Sequence, residues 1–202
     1  MKKVDLRIKK TKLAIEVALL KLLETKQFQD ITIQNIAEEA MINRATFYSH
    51  YTDKYDLLDR LVEEKLSAFR NHIYEARHVR DGTLYPERFL FVICTAFQIV
   101  ERDLYFFKVL LANQTTNNIK DRFVNMVSDI FTSQFDVFFG KNESNRTMPK
   151  ELFLPFIVSG VTGTIFWWIE QNQPYSPEEM AKSLLNLVIN GPAKTMGLHI
   201  SN

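Results

Sequence analysis

The chain has 202 residues, of which 46% are hydrophobic and 24% are charged, and its formal net charge is +1. That length and hydrophobic content exclude a disordered chain, and the balanced charge argues against a protein that coats nucleic acid. Cys94 is the single cysteine, so no intramolecular disulfide is possible and a reducing compartment is expected. The start lacks the uninterrupted apolar run of a signal peptide, so we expect a cytoplasmic protein.

The first twelve residues form a basic arm, in which lysines and one arginine accompany a single acid, Asp5. Such an arm suits a phosphate backbone, because each neutralised phosphate releases counterions. The alternative is a solvated, frayed N-terminus. A first helix that ends near Thr25 is predicted by apolar residues at helical spacing, namely Leu13, Val17, Leu20 and Leu23.

The next segment predicts two short helices joined by a tight turn. Thr32 is placed as the N-cap of the first, because its hydroxyl can accept a hydrogen bond from a free helical amide. Met41-Ile42 forms the turn, and Asn43 is the N-cap of the second short helix. That second helix is expected to bury Ala45 or Phe47 and to leave its other side chains open.

This pattern has the form of a helix-turn-helix, whose second helix enters the major groove of DNA. An arginine near the start of that helix can pair with guanine or with a phosphate, and threonine and alanine methyl groups suit thymine. Tyrosine, histidine and lysine side chains can donate to phosphates. The predicted DNA-binding residues are Thr32, Asn43, Arg44, Ala45, Thr46, Tyr48, His50 and Lys54.

The alternative is that Phe47, Tyr48 and Tyr51 only pack between helices and that Arg44 is a solvated charge. For Phe47 we favour this alternative, because it lies on the apolar side of its helix. For the group as a whole we favour DNA binding, because the caps, the turn and the basic side chains occur together.

The motif Thr32-x-x-x-Ile36-Ala37-x-x-Ala40, followed by NRATFYSHYTDKYDLL over residues 43–58, resembles the tetracycline-repressor (TetR/AcrR) family. The likeness covers roughly residues 8–62 without a gap. It implies a homodimer that binds a palindromic operator in double-stranded DNA, and a helical C-terminal domain that binds a small inducer. Gln27 and Met41 stand where the family usually has glycine, so we expect backbone strain at both, on the order of 1 kcal/mol each.

The remainder of the chain predicts further helices. Asp53 is the expected cap of a long helix, 53–79, that connects a helix-turn-helix domain (1–52) to a second domain (53–202). Residues 77–86 are the clearest break, with a loop rather than a hairpin at Asp81-Gly82. Helices are predicted at about 87–102, 104–115, 119–139, 150–172 and 177–190, with a flexible loop at 140–149 and a helix end at Gly191-Pro192. The protein is therefore predicted to be all-α, with an N-terminal three-helix helix-turn-helix domain and a C-terminal helical domain for ligand binding and dimerisation.

Phenylalanines are dense on the predicted helices between residues 87 and 139. Pockets for small apolar ligands are lined in this way, although aromatic stripes more often form plain core. Cys94 is either a packed small hydrophobe or a redox sensor. The candidate residues for binding an unknown small-molecule effector are Phe91, Cys94, Phe97, Phe106, Leu110, Met126 and Ile130.

The uncharged segment 152–169 is short for a membrane span and contains two glycines and a proline. We therefore predict a buried or interfacial helix and no membrane partner. Its glycines permit close approach of another helix, which suits a two-fold contact with the final helix; the alternative is a core face within one chain. The candidate dimer residues are Phe156, Gly160, Gly163, Trp167, Leu184, Leu187 and Val188.

The sequence contains no HExxH, P-loop or GxSxG motif, so we expect no catalytic residues, no metal, no cofactor and no enzymatic activity. The favoured hypothesis is a repressor that a small molecule releases from DNA. A second is a transcriptional activator whose C-terminal domain binds a protein partner instead of a small molecule. A third, a helical ligand carrier without DNA binding, is disfavoured by the basic arm and Lys54.

Overall fold

The computed structural model describes residues 2–75, 79–80, 83–113, 119–139 and 148–196. The chain divides into two compact units, of which the first comprises Met1–Lys65 with Tyr105–Lys120 and the second comprises Leu66–Leu104 with Asp121–Asn202. The helices are α1 (Lys2–Thr25), α2 (Ile33–Glu39), α3 (Arg44–Tyr48), α4 (Lys54–Glu75), α5 (Pro86–Arg102), α6 (Leu104–Ala112), α7 (Ile119–Phe139), α8 (Lys150–Glu170) and α9 (Pro177–Thr195), with a single-turn 3-10 helix at Phe28–Asp30. The predicted all-α class is confirmed.

One sheet pairing interrupts the helices of the second unit. Val79–Arg80 (β1) pairs antiparallel with Thr83–Leu84 (β2), in the register Val79 to Leu84 and Arg80 to Thr83. From the sequence we expected a loop here and no strand pairing; the pairing of the flanking residues corrects the second part, while residues 81 and 82 lie outside the described residues. Two residues on each side are too few to show an alternating pattern in the sequence, which explains the error.

The buried face of α1 differs in part from the predicted one, since Leu20 and Leu23 are buried as predicted but the other two predicted residues are exposed. Leu13 and Val17 are 60% and 38% exposed, whereas Ile15 and Leu19 are fully buried. Ile15, Ala18, Leu19 and Leu23 are also spaced at helical intervals and form the stripe that packs in the first unit, where α1 contacts α2. Both stripes are apolar, so periodicity alone did not distinguish them.

The connection after α1 shows why Gln27 is not strained. Gln27 has φ −68° and ψ 145°, an ordinary extended conformation, so the expectation of strain there was wrong. A glycine at a helix end usually lets the chain satisfy the last carbonyl groups. Here the buried side chain of Asn113 does so, since its Nδ2 donates to Leu23 O at 3.3 Å and to Lys26 O at 3.1 Å.

The second unit is built on aromatic packing among its helices. Phe97 of α5 meets Trp168 of α8 edge-to-face, with ring centroids 5.0 Å apart. Phe123 of α7 lies 5.1 Å from Phe69 and 5.5 Å from Phe166. All five rings are buried, so burial of large aromatic surface supplies much of the stability of this unit.

The ends of the later helices confirm several local predictions. The predicted bounds of α5 to α9 agree with the structure to within a few residues, whereas the predicted helix 53–79 was too long, because α4 ends at Glu75 and Val79 belongs to β1. Ser176 caps α9, because its Oγ accepts from Glu179 N at 3.3 Å while Glu179 Oε2 accepts from Ser176 N at 2.8 Å. Gly191 breaks the helical path of α9 with φ 72°. Most of the predicted loop at 140–149 lies outside the described residues.

Candidate nucleic-acid interface

Thr32 begins α2 with a reciprocal cap. Its Oγ1 accepts from Asn35 N at 3.1 Å, and Asn35 Oδ1 accepts from Thr32 N at 3.1 Å and from Thr32 Oγ1 at 2.9 Å. The predicted N-cap is confirmed, with asparagine in the place that glutamate or glutamine usually takes in a capping box. Two amides at the start of α2 are thereby satisfied within the protein.

The turn between α2 and α3 depends on one left-handed residue. Met41 has φ 53°, and its side chain is 92% exposed. Its amide donates to Glu38 O at 3.0 Å, and the amide of Ile42 donates to Ala37 O at 2.9 Å. The strain predicted at Met41 is therefore confirmed as a left-handed backbone, which L-residues other than asparagine and aspartate rarely adopt.

Asn43 begins α3 as predicted. Its Oδ1 accepts from Thr46 N at 2.7 Å and from Thr46 Oγ1 at 2.9 Å. The hydroxyl proton of Thr46 is thus held inside the cap, which leaves the methyl group and the remaining acceptor capacity of that side chain for a ligand. Asn43 therefore fixes Thr46 as well as the helix.

The two sides of α3 have opposite characters. Phe47 is fully buried, and its ring lies 5.7 Å from Tyr48 and 5.9 Å from Tyr51. Tyr48 is 49% exposed, and the Arg44 guanidinium lies 6.0 Å from the centre of its ring. Ala45 is exposed, so Phe47 is the residue that anchors the helix. Arg44, Ala45 and Tyr48 form the exposed face of α3, and His50, just after the helix, is half-buried.

A partly buried hydrogen bond joins the end of the helix-turn-helix to α1. Tyr51 Oη donates to Glu16 Oε1 at 3.3 Å. Burial raises the pKa of Glu16, and the nearby Glu64 raises it further. Burial also raises the pKa of Tyr51, and the Glu16 carboxylate adds to that rise. The residue spacing gave no signal for this contact, which joins positions 35 residues apart.

Lys54 occupies an unexpected environment at the first residue of α4. Its Nζ donates to the carbonyl oxygens of Phe28, Gln29 and Ile31 at 2.9, 2.9 and 2.8 Å. It also lies 4.9 Å from the ring centre of Phe28 and 5.6 Å from that of Tyr55. From the sequence we expected this lysine to contact a phosphate; in the DNA-free protein its three hydrogen bonds go to carbonyl oxygens of the same chain.

The predicted effector residues divide between the two units. Phe106 and Leu110 belong to the first unit, and the other five belong to the second. Phe91 is 67% exposed, while Phe97, Met126 and Ile130 are buried. Cys94 is half-buried, and burial followed by the nearby Glu178 raises the pKa of its thiol. A raised pKa disfavours the reactive thiolate.

The first unit contains a cleft that sequence reasoning did not anticipate. It has a volume of about 650 Å³ and lies between the end of α1 and α6. Tyr105 forms a hydrogen bond with Glu24 at its wall, and Asn113 donates there to the carbonyl groups of Leu23 and Lys26. These polar residues lie far apart in the sequence, so no local motif predicts the cleft. Its lining residues are Leu23, Glu24, Thr25, Lys26, Gln27, Asp30, Tyr105, Lys108, Val109, Ala112 and Asn113.

The predicted dimer residues lie mainly on an open apolar surface of α8 and α9. Phe156 and Trp167 are 65% and 43% exposed. A Cβ added at Gly160 or Gly163 would meet nothing within 4 Å. Leu187 and Val188 are also exposed, whereas Leu184 is buried within the second unit.

Among the described residues, α8 is long and apolar enough to cross a membrane by length and composition alone, with only 28% of its most apolar window buried.

Comparison with known proteins decides the family. The model for "Bacterial regulatory proteins, tetR family" matches residues 15–61, and the model for a "Transcriptional regulator C-terminal region" of the TetR type matches residues 87–190. The chain belongs to the TetR family. The resemblance inferred from the sequence is thereby confirmed, and the protein is a transcriptional regulator with a helix-turn-helix and a helical C-terminal region.

Two curated relatives of this TetR-family chain come from Bacillus subtilis (strain 168). The uncharacterised helix-turn-helix regulator YxbF is 23% identical over 192 residues, which cover 93% of this chain and 47% of YxbF. The chain thus spans about half the length of YxbF. A "Fatty acid metabolism regulator protein" is 22% identical over 168 residues, which cover 79% of this chain and 84% of that protein.

A solved structure shares the same fold. The transcriptional regulator FadR from Bacillus subtilis, in complex with stearoyl-CoA, superimposes with a TM-score of 0.63 and 18% identity. The match covers 89% of this chain and 98% of FadR. At this level of identity the likeness concerns the fold, and function has to be argued from the residues.

Proposed function

We propose that this TetR-family regulator is a cytoplasmic repressor that binds a palindromic operator as a homodimer and is released by a fatty acyl molecule. The observation that supports DNA binding is the exposed face of α3, formed by Arg44, Ala45 and Tyr48. Buried Phe47 anchors this face from the opposite side, so its side chains are presented from a fixed helix.

Each residue of this surface has a chemical task. Arg44 pairs with guanine O6 and N7 or with a phosphate, and the methyl groups of Ala45 and Thr46 contact thymine. Tyr48 and His50 donate to phosphates, which position the helix on the duplex. The basic start of α1 adds charge that follows the backbone, at a cost in affinity when salt is raised.

Dimerisation is supported by the composition and exposure of α8. A palindrome is read by two recognition helices about 34–36 Å apart, which requires two protomers related by a two-fold axis. Apolar side chains such as Phe156 and Trp167 are costly to leave in water, and the open surfaces at Gly160 and Gly163 let a second helix approach closely. The exposed faces of α8 and α9 therefore suit an isologous contact with a second copy.

The acyl effector is proposed from two kinds of support. The Bacillus subtilis regulator of the same fold is solved in complex with stearoyl-CoA, and the curated Bacillus subtilis relative is named for fatty acid metabolism. In the second unit, the half-buried His72 has a buried Nε2 without a hydrogen-bond partner in the described part of the chain, and its ring lies 6.3 Å from Phe91. Buried polar groups usually have partners, and the oxygen of an acyl headgroup supplies one. Release follows if the acyl molecule binds the DNA-free state more tightly.

The DNA-binding part is tested by footprinting on the region upstream of the protein's own gene. The informative pair of variants is Arg44→Ala and Arg88→Ala, because each arginine lies over a tyrosine ring, at 6.0 Å from Tyr48 and 5.1 Å from Tyr85. Arg44→Ala should lose specific binding by about fivefold or more, the effect of 1–3 kcal/mol for one base contact. Arg88→Ala should bind as the wild type does. Equal losses, or no protected palindrome, would refute the proposal.

The effector is tested by adding stearoyl-CoA, stearate and CoA separately to the footprinted complex. Release by an acyl compound but not by CoA alone supports the proposal. If neither acyl compound releases the protein and a protein subunit co-purifies with it from its native cell, the alternative of an activator with a protein partner is favoured.

A further inference from the structure

The environment of Lys54 leaves its ammonium group no spare hydrogen. A lysine ammonium has three N–H donors, and those of Lys54 meet three carbonyl oxygens at 2.8–2.9 Å. The rings of Phe28 and Tyr55 lie beside the charge, where the electron-rich face of an aromatic ring attracts a cation. In this arrangement, binding a phosphate would require the ammonium to give up at least one of these carbonyl groups.

The three carbonyl groups belong to the segment that leads into the helix-turn-helix. Phe28, Gln29 and Ile31 lie in or directly after the 3-10 turn, and the next residue is Thr32, which caps α2. Phe28 and Ile31 are buried, so the segment cannot shift freely. Lys54, the first residue of α4, therefore fastens the beginning of α4 to the chain that sets the start of α2.

We propose that Lys54 is a positioning residue that acts on DNA through the segment 28–31 and not by binding a phosphate. It holds α2, and with it α3, at the angle that lets the exposed face of α3 reach the bases. The inference rests on the proposed DNA binding for its functional effect. The hydrogen bonds from the Lys54 ammonium to the three carbonyl oxygens do not depend on it, because they are present in the protein without DNA.

Two variants separate a positioning role from a phosphate contact. Lys54→Arg keeps the charge, but a planar guanidinium cannot direct its donors at three converging carbonyls as a compact ammonium does. We expect Lys54→Arg and Lys54→Gln each to lose specific binding by about tenfold or more. Both should keep the wild-type slope of log K against log salt, and both should bind non-specific DNA almost as the wild type does. A loss confined to specific binding reports misplaced helices, which a mere change in stability does not produce.

A phosphate contact predicts the opposite pattern. Lys54→Arg would then bind specifically within about threefold of the wild type. Lys54→Gln would lower the salt slope of a dimer by about 1.8, twice the value of about 0.9 for each phosphate. Either result would overturn the proposal.

Chemical labelling of the unaltered protein decides the question even if the variants fail to fold. Acetic anhydride reacts with lysines whose amines are accessible, and the exposed Lys182 of α9 serves as the internal reference. In the free protein, Lys54 should react about fivefold more slowly than Lys182, because its nitrogen is held by carbonyl groups. Equal reactivity would overturn the proposal. This measurement uses no DNA, so it stands apart from the failure or success of the proposed regulatory function.

Discussion

Two glycine substitutions, Met41→Gly and Gln27→Gly, should have opposite effects on stability. Both residues stand where glycine is usual in this family, but their backbones differ. Met41 has φ 53° in the turn between α2 and α3, whereas Gln27 has φ −68° after α1. The same replacement therefore relieves strain at one position and relieves none at the other.

The magnitudes follow from two terms. An L-residue in the left-handed region costs roughly 1–2 kcal/mol, and glycine loses about 0.4–1 kcal/mol by making the unfolded chain more flexible. Met41 is 92% exposed, so its side chain contributes little burial. Met41→Gly should therefore raise the free energy of unfolding by up to about 1.6 kcal/mol, with a central value of about 0.8 kcal/mol. Gln27→Gly relieves no left-handed strain, makes the unfolded chain more flexible and removes the contacts of the Gln27 side chain, so it should lower the free energy of unfolding by at least about 0.4–1 kcal/mol.

Urea denaturation followed by circular dichroism measures both changes. The midpoint should move up for Met41→Gly and down for Gln27→Gly, with unchanged slopes. In a thermal scan, 1 kcal/mol corresponds to a shift of about 2–4 °C for a chain of this size. If both midpoints moved in the same direction, the difference in backbone conformation would not control stability, and the reasoning would be refuted.

Three other changes test separate features of the molecule. Gly160→Glu should fold, because an added Cβ meets nothing within 4 Å, but its charge should prevent apolar contact between protomers; a dimer of unchanged stability in sedimentation would contradict the role assigned to α8. The raised pKa of Glu16 means that the folded state holds its proton more tightly than the unfolded state, so wild-type stability should fall as the pH rises through the raised value. Glu16→Gln should remove that fall while its amide oxygen still accepts from Tyr51, and identical pH profiles of urea midpoints would disprove the assignment. Asn113→Ala removes the side-chain donor to the carbonyl groups of Leu23 and Lys26 and should cost about 1–3 kcal/mol; a urea midpoint equal to that of the wild type would show that water replaces the amide.

Features that depend on neighbouring residues were predictable from the sequence. Thr32, Asn43 and Ser176 cap helices through contacts that reach three residues ahead, so their type and spacing carry the information. The left-handed turn at Met41 was predictable for the same reason, with the added help of the family pattern. The exposed side of α3 followed once Phe47 was assigned to the core.

Features that depend on distant residues were not predictable in this way. Periodicity allowed two apolar stripes on α1, and only packing in the first unit selected Ile15 over Leu13. The charge of Lys54 suggested a phosphate, because the carbonyl groups that bind it lie more than twenty residues earlier. Asn113, whose partners lie about ninety residues away, carried no signal at all. The effector and dimer residues remain predictions that await a bound ligand and a second protomer.

The adjacent tryptophans of α8 give the protein two optical reporters with different sensitivities. The chain has only these two tryptophans. Trp168 is fully buried, packs against Phe97 and donates its indole N–H to Tyr175 O at 2.8 Å, whereas Trp167 is partly in water. In a Trp167→Phe protein, the emission spectrum should follow loss of the core alone. In a Trp168→Phe protein, the emission maximum of Trp167 should shift to shorter wavelength as subunits associate at rising protein concentration. The two single-tryptophan proteins would therefore report folding and assembly separately.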